Sequence, residues 1–373
     1  MTDKGRYQLR SATSLVDRRQ FLRQTAAGAA LPAALGMLGG SAHAQAKTVN
    51  VASYGGVVQD YQTRLFAQPF EAKTGIKVNI GSNASLALVK LQNSAGTAAQ
   101  WDICSLSGAE YHEAIAQKLI VPYDYNIINT TNILPEYKHS HGIKFSLFLF
   151  VMAWDKRQIP DDKAPRTLAE FWDTDRFKGK RSLYAGISDG STLEMALLAD
   201  GVPLNQIYPL DVDRALRSLE RLGRANIIWH NTNAEPIQQL TSGAVALANC
   251  FNGRVIAANR SGAQLGFTPA YSAASCNPYC VIASSANKKE AFEYLNYLLN
   301  TRKNTPKADA EYMQLTNYAI PNTEALKLVP SEILDILPTS PKLRDKVFIK
   351  DDAWWASNLA KATAKFKEWQ LAG

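Results

Sequence analysis

The segment Gly186-Ile187-Ser188-Asp189-Gly190 has the G-x-S-x-G spacing of a nucleophile elbow, which holds a serine out on a tight turn between a strand and a helix. An acid and a histidine would have to complete it, and Asp211 or Asp213 followed by His230 supply that chain order. Three fixed positions in five make a weak pattern, and no oxyanion-loop motif precedes it. The same residues have a second use. Ser188 and Ser191 stand at the start of a predicted helix, where free N–H groups and the helix dipole favour an anion, while Asp189 between them would attract an amine. Arg254 follows a strand and a turn; it is either a fork for a carboxylate or an ordinary surface arginine. His139 and His141 have the alternate spacing that puts two rings on one strand face, but no nearby carboxylate or cysteine completes a metal site.

The segments that would position these residues begin after an export-like N-terminus. Arg18-Arg19 is followed by Phe21-Leu22, then by an uncharged Ala- and Gly-rich stretch from Thr25 to Gly40, then by Ala42-His43-Ala44, a small-x-small cleavage pattern. The weak hydrophobicity and the arginine pair predict a twin-arginine signal over residues 1–44. A membrane anchor would need about 20 mostly apolar residues, and this stretch is shorter and contains Pro32. No cysteine lies near the cut for lipid attachment, so the expected location is the periplasm. Residues 1–44 hold six of the 41 Lys/Arg and two of the 33 Asp/Glu, which leaves 35 against 31. That modest excess, with no basic run, does not suggest nucleic acid. Cys276 and Cys280 either bridge across the Asn277-Pro278 turn or remain, with Cys104 and Cys250, as buried thiols.

From Thr48 the pattern alternates between strand and helix. Strands are predicted at 48–52, 76–80 and 101–104, with helices at 58–74, 85–94 and 108–117, which argues for a parallel sheet covered on both faces. A long apolar β segment, 143–154, suits a crossover. A second alternation follows, with strands at 181–184, 227–229 and 244–250 and helices at 191–200, 212–222, 236–242 and 253–261. A return strand at 279–283, a helix at 288–299 and a helical tail from Pro330 complete the reading. Ligands of open α/β sheets sit at the carboxyl ends of the strands. Here those ends are polar: Ser53-Tyr54, Gly81-Ser82-Asn83, Ser105-Leu106-Ser107, Gly186–Thr192, His230–Asn233 and Asn249–Arg254. Turn chemistry alone also draws polar residues to loops, so their shared position carries the weight.

Several segments resemble the family 1 extracellular solute-binding proteins, in the spermidine/putrescine-type branch. Trp229-His230-Asn231-Thr232, the helix after it, Gly243–Ala248 and Asn252-Gly253-Arg254 carry the resemblance, as do Val281-Ile282-Ala283, Asn287–Ala291 and Tyr318-Ala319-Ile320-Pro321-Asn322. Phe251 stands where the family has a tryptophan before Asn-Gly-Arg. The resemblance implies a two-lobed α/β periplasmic-binding-protein fold of type II, with 45–150 plus 275–305 as one lobe and 151–274 plus 306–373 as the other. It implies a monomer that encloses a solute between its lobes and docks on an ABC permease driven by an ATPase, with no cofactor, no metal and no catalysis. Polyamine binders meet ammonium groups with cleft carboxylates. Where they carry two acids this chain has Ser188 and Ser191, and where they have Trp and Asp it has Cys276 and Pro278, beside Tyr279. An amino acid-like ligand, such as γ-aminobutyrate or an opine, fits the remainder better than a diamine. The candidate ligand residues are Tyr54, Asn83, Ser107, Ser188, Asp189, Ser191, Trp229, Thr232, Arg254 and Tyr279. For Tyr54 and Trp229, expected as apolar cleft walls, core packing is an equal alternative. Ferric-iron carriers of the wider family use paired tyrosines, and this chain has no adjacent Tyr-Tyr.

Overall fold

Twelve strands build the frame of the computed structural model, which describes residues 47–372 except 83, 95–99, 189, 300–305 and 344. In chain order they begin with β1 (Thr48–Ala52), β2 (Lys77–Gly81) and β3 (Ile103–Ser105). The hairpin strands β4 (Lys138–His139) and β5 (Gly142–Ile143) lead to β6 (Phe148–Asp155). Then come β7 (Arg181–Tyr184), β8 (Ile227–His230), β9 (Leu247–Phe251), β10 (Leu265–Ser275), β11 (Tyr279–Val281) and β12 (Val347–Ile349). The N-terminal segment 1–44, read as an export signal, lies outside the described residues, as do the candidate ligand residues Asn83 and Asp189.

One sheet has the order β11-β3-β1-β2, with β1 parallel to β2 and β3, and β11 antiparallel to β3. The helix that packs beside it ends at Gly75, whose φ of 72° closes the helix in the left-handed region that glycine adopts without strain. Val49, Val51 and Ile103 face a core with Phe66 and Phe70, while Ala52 and Cys104 face a second core with Val89 and Tyr111. The central strand β1 ends apolar on both faces, whereas the edge strand β2 alternates, with Val78 buried between the exposed Lys77 and Asn79.

The other sheet has the order β12-β10-β6-β9-β7-β8. Strand β6 is buried along its whole length and divides its side chains by parity. Phe148, Phe150, Met152 and Trp154 enter one core; Leu149, Val151 and Ala153 enter the other. This sheet is mixed, because β6 runs antiparallel to both β9 and β10. Strand β10, eleven residues long, was not foreseen. Gly266, Pro269 and a register shift between Thr268 and Ala273 break the β pattern that would reveal it.

The chain crosses between the two cores three times, the last between Leu337 of the first core and Phe348 of the second. Ile143, Phe145 and Leu147 belong to the core of the first sheet, and Phe148 begins that of the second. A positive φ of 66° at Ser146 interrupts the extended run, so the predicted strand 143–154 is divided, with Ile143 in β5 and the long strand beginning at Phe148. The return runs from Ser275, at the end of β10, to Cys276 and Tyr279 in the first core. Residues 306–337, assigned on the sequence to the second lobe, contribute Ala310, Tyr312, Met313 and Ile320 to the first core. Tyr312 holds them there, 5.8 Å from the ring of Phe66 and 6.0 Å from that of Phe145. The last helix, Asp352–Leu371, buries Trp355, Ala362 and Phe366 in the second core and packs against both Gly108–Ala116 and Val212–Leu222. All four cysteines are buried and unbridged. Among the described residues no helix is long and apolar enough to cross a membrane.

Candidate functional site

A cleft of about 740 Å³ is lined from both sheets. The first sheet supplies Ser53 and Tyr54 after β1, Ser105 and Ser107 after β3, and Tyr279 of β11. These are the polar strand ends expected of an open α/β sheet. Tyr279 is held from behind: its hydroxyl donates to Gln62 Oε1 at 2.8 Å, and burial pushes its pKa up to about 12 against the hydrogen bonds of Ser53 and Gln62. Ser107 begins the helix Gly108–Ala116, and the Glu110 carboxylate reaches back to accept from its N–H at 3.1 Å and its hydroxyl at 2.9 Å.

The second sheet supplies an aromatic floor. Phe148 and Phe150 of β6 meet Phe251 at the end of β9, with centroids 5.0 and 4.5 Å away, and Tyr318 lies 5.6 Å from Phe148. Tyr318 lies against the start of the helix Asn252–Arg260 only because residue 253 is glycine. A Cβ there would fall 2.5 Å from its ring. Arg254 follows in the first turn of that helix and lines the cleft. Burial pushes the Tyr318 hydroxyl up to about 12, with the Arg254 charge acting in the opposite sense. Among the described residues Arg254 has no hydrogen-bond or ion-pair partner.

Four charged residues of the cleft, Lys350, Asp352, Glu110 and Glu113, were not foreseen. Lys350, just after β12, is 4% exposed, and its Nζ lies 5.6 Å from the ring centroids of both Phe150 and Trp355. The ammonium donates to the backbone carbonyl of Ser188, which brings Ser188 to the site. Asp352, at the head of the last helix, pairs with Lys144 at 3.4 Å. It also lies against Gly108, where a Cβ would stand 1.9 Å from its Cγ, so its carboxylate approaches a helix N-terminus. The other acids of the wall are engaged as well: Glu110 in its capping contacts and with the Leu86 N–H, Glu113 with Lys90. No motif marks Lys350 or Asp352. A three-residue strand followed by a helix reads as tail packing.

Five of the ten candidate residues therefore line the cleft: Tyr54, Ser107, Ser188, Arg254 and Tyr279. Three described candidates are placed elsewhere. Ser191 is fully buried at the head of the helix Thr192–Ala199, with a φ of 59° and a hydroxyl that has no partner among the described residues. Trp229 projects from β8 onto the last helix, 5.4 Å from Phe366 and 6.4 Å from Trp369, so it fills core rather than cleft wall. Thr232 is exposed and hydrogen-bonds Glu235 at the start of a helix, and Asn233 beside it reaches the cleft instead.

The hydrolase alternative finds no triad in these residues. The Nδ1 of His230 is 2.8 Å from the hydroxyl of Ser182, not of Ser188. Asp211 caps the helix Val212–Leu222 and Asp213 pairs with Lys365. His139 ends β4 while His141 belongs to the turn before β5, so the two rings do not share a strand face. Among the described residues no group of three or more His, Cys, Asp or Glu is placed to hold a metal ion.

Two α/β bodies, crossed three times by the chain and facing each other over a polar and aromatic cleft, define a solute-binding protein. The chain belongs to the bacterial extracellular solute-binding protein family, whose model matches residues 66–338. It is 28% identical over 336 residues to the gamma-aminobutyric acid-binding protein of Pseudomonas aeruginosa, covering 88% of this chain and 92% of that one. Among solved structures it resembles the Atu4243 GABA receptor, with 26% identity and a TM-score of 0.76 over 87% of this chain and 98% of the other. It also resembles AgtB of A. tumefaciens R10, solved with agropinic acid, with 25% identity and a TM-score of 0.74 over 87% and 98%.

Proposed function

We propose that this chain is the periplasmic receptor of an ABC importer for a small amine- or amino acid-like metabolite of the γ-aminobutyrate, opine or polyamine class. Residues 1–44 direct its export by the twin-arginine route. The released protein acts as a monomer, closes its lobes about the crossings at 143–148 and 275–279, and delivers the solute to a permease coupled to an ATPase. Arg254 is the observation that carries the ligand class. It lines the cleft beside Tyr318 with no partner among the described residues, as a planar fork waiting for a carboxylate would. The rings of Phe148, Phe150 and Phe251 offer a face to the alkyl chain or the ammonium group of the same ligand. The relatives that bind γ-aminobutyrate and agropinic acid support the same reading. Within the class, a diamine has the least support, since Glu110, Glu113 and Asp352 of the cleft wall are already engaged.

Thermal unfolding against diamines, polyamines, γ-aminobutyrate, opines and simple carboxylates tests this. A ligand at one hundred times its dissociation constant stabilises by about 2.7 kcal/mol, a readable shift in Tm. A shift with an amino acid-like compound is expected. A shift with diamines alone would overturn the carboxylate reading.

A further inference from the structure

We propose that Lys350 is a second anion-binding group of the cleft, so that the ligand is an amino acid-like compound carrying two acidic groups rather than one. This rests on the solute-binding reading above and specifies its ligand. Lys350 is 4% exposed, lines the cleft, and among the described residues meets no carboxylate. Its contacts are one backbone carbonyl, that of Ser188, and the rings of Phe150 and Trp355. An ammonium has three donors, and a charge withdrawn this far from water needs an anion or a full set of acceptors. Among the described residues the acids around it are engaged elsewhere: Asp351 caps the last helix, accepting from Trp354 N–H at 2.8 Å, Asp352 pairs with Lys144, and Glu194 accepts from Trp355 and Tyr208.

Arg254 is the other cleft-lining cation without an acidic partner among the described residues. The two are separated by the aromatic floor, with Arg254 beside Tyr318 and Lys350 over Phe150, while Phe148 lies 5.6 Å from both Tyr318 and Phe150. A compound with one acidic group satisfies one of these cations and leaves the other desolvated when the lobes close. Two carboxylates joined through a short amine-bearing chain satisfy both, with the chain lying on the phenylalanine rings. Lys350 is thus the residue that discriminates diacids from simple ω-amino acids.

The test compares two probes that differ only in the second acid, N-(1-carboxyethyl)alanine and N-ethylalanine, with γ-aminobutyrate as a third, by calorimetric titration of the purified protein. The diacid should bind at least about tenfold more tightly than N-ethylalanine, the scale of one charge-assisted hydrogen bond. Lys350→Met should bring that ratio to about one, and Lys350→Arg should keep most of it. Equal affinities in the unmodified protein, or a full diacid preference in Lys350→Met, would overturn the proposal and leave the solute-binding reading standing. If none of the three probes binds, the amino acid-like ligand class falls, and this proposal with it.

Discussion

Two buried titrating residues respond oppositely to acid. Burial, against a small effect from Glu235, lowers the His230 pKa to about 4 from its ordinary 6.5. The fold therefore favours the neutral ring, and its contribution to stability is complete above pH 6.5 and lost as pH falls through about 4. Asp309 has the reverse sign. Burial raises it to about 7, partly offset by the hydrogen bond from Asn322, so the fold favours the protonated acid. That contribution is present at low pH and lost as pH rises through about 7. Asp309→Asn, which keeps an uncharged acceptor for Asn322, is accordingly expected to raise Tm at pH 8 and to leave it nearly unchanged at pH 5. Differential scanning calorimetry at the two pH values checks this; an equal effect at both would contradict it. Legibility in the sequence also divides by residue. Arg254 was readable because it follows Asn252-Gly253 at a strand end, whereas Phe148 and Phe150 were not. An aromatic floor and a core strand have the same composition, and only the opposing sheet decides which residues meet solvent.

Elements place these residues with little tolerance. Gly253 allows the Tyr318 ring to lie on the helix that presents Arg254. Gly253→Ala is expected to push the ring off its neighbour Phe148 and weaken ligand binding about tenfold or more, while the displaced Tyr318 also lowers stability by about 1–3 kcal/mol. Unchanged affinity in that variant would show that the floor is not part of the site. Trp229, by contrast, packs β8 to the last helix. Trp229→Ala should cost about 2–4 kcal/mol of stability and leave the dissociation constant unchanged, measured by chemical unfolding and titration in parallel. The strand–helix alternation of 48–117 and 181–261 was legible because amphipathic helices and short apolar strands repeat there. Strands β10 and β12 were not, since a bulged strand containing glycine and proline and a three-residue strand fall below what periodicity reveals. Missing β12 meant missing Lys350 and Asp352, which sit directly after it.

For the whole molecule, the sequence indicated two α/β bodies and crossing segments, but not which body receives each part of the tail. Residues 306–337 return to the first core and the last helix spans to the second, a choice set by Tyr312 meeting the ring of Phe66 and by the Trp355 indole donating to Glu194 at 2.9 Å rather than by any local pattern. The export reading belongs at this scale too. Replacing Arg18 and Arg19 together by lysine should hold the precursor in the cytoplasm, visible by cell fractionation, whereas continued export would point to a different route. The central claim is that a carboxylate-bearing solute is held between the two bodies at Arg254. Calorimetric titration of the unmodified protein and of Arg254→Ala with γ-aminobutyrate and an opine tests it most directly. The account predicts binding that weakens about tenfold to a hundredfold in the variant, the cost of one hydrogen-bonded charge, with Tm unaltered in the absence of ligand. Binding of equal strength in both proteins would contradict it.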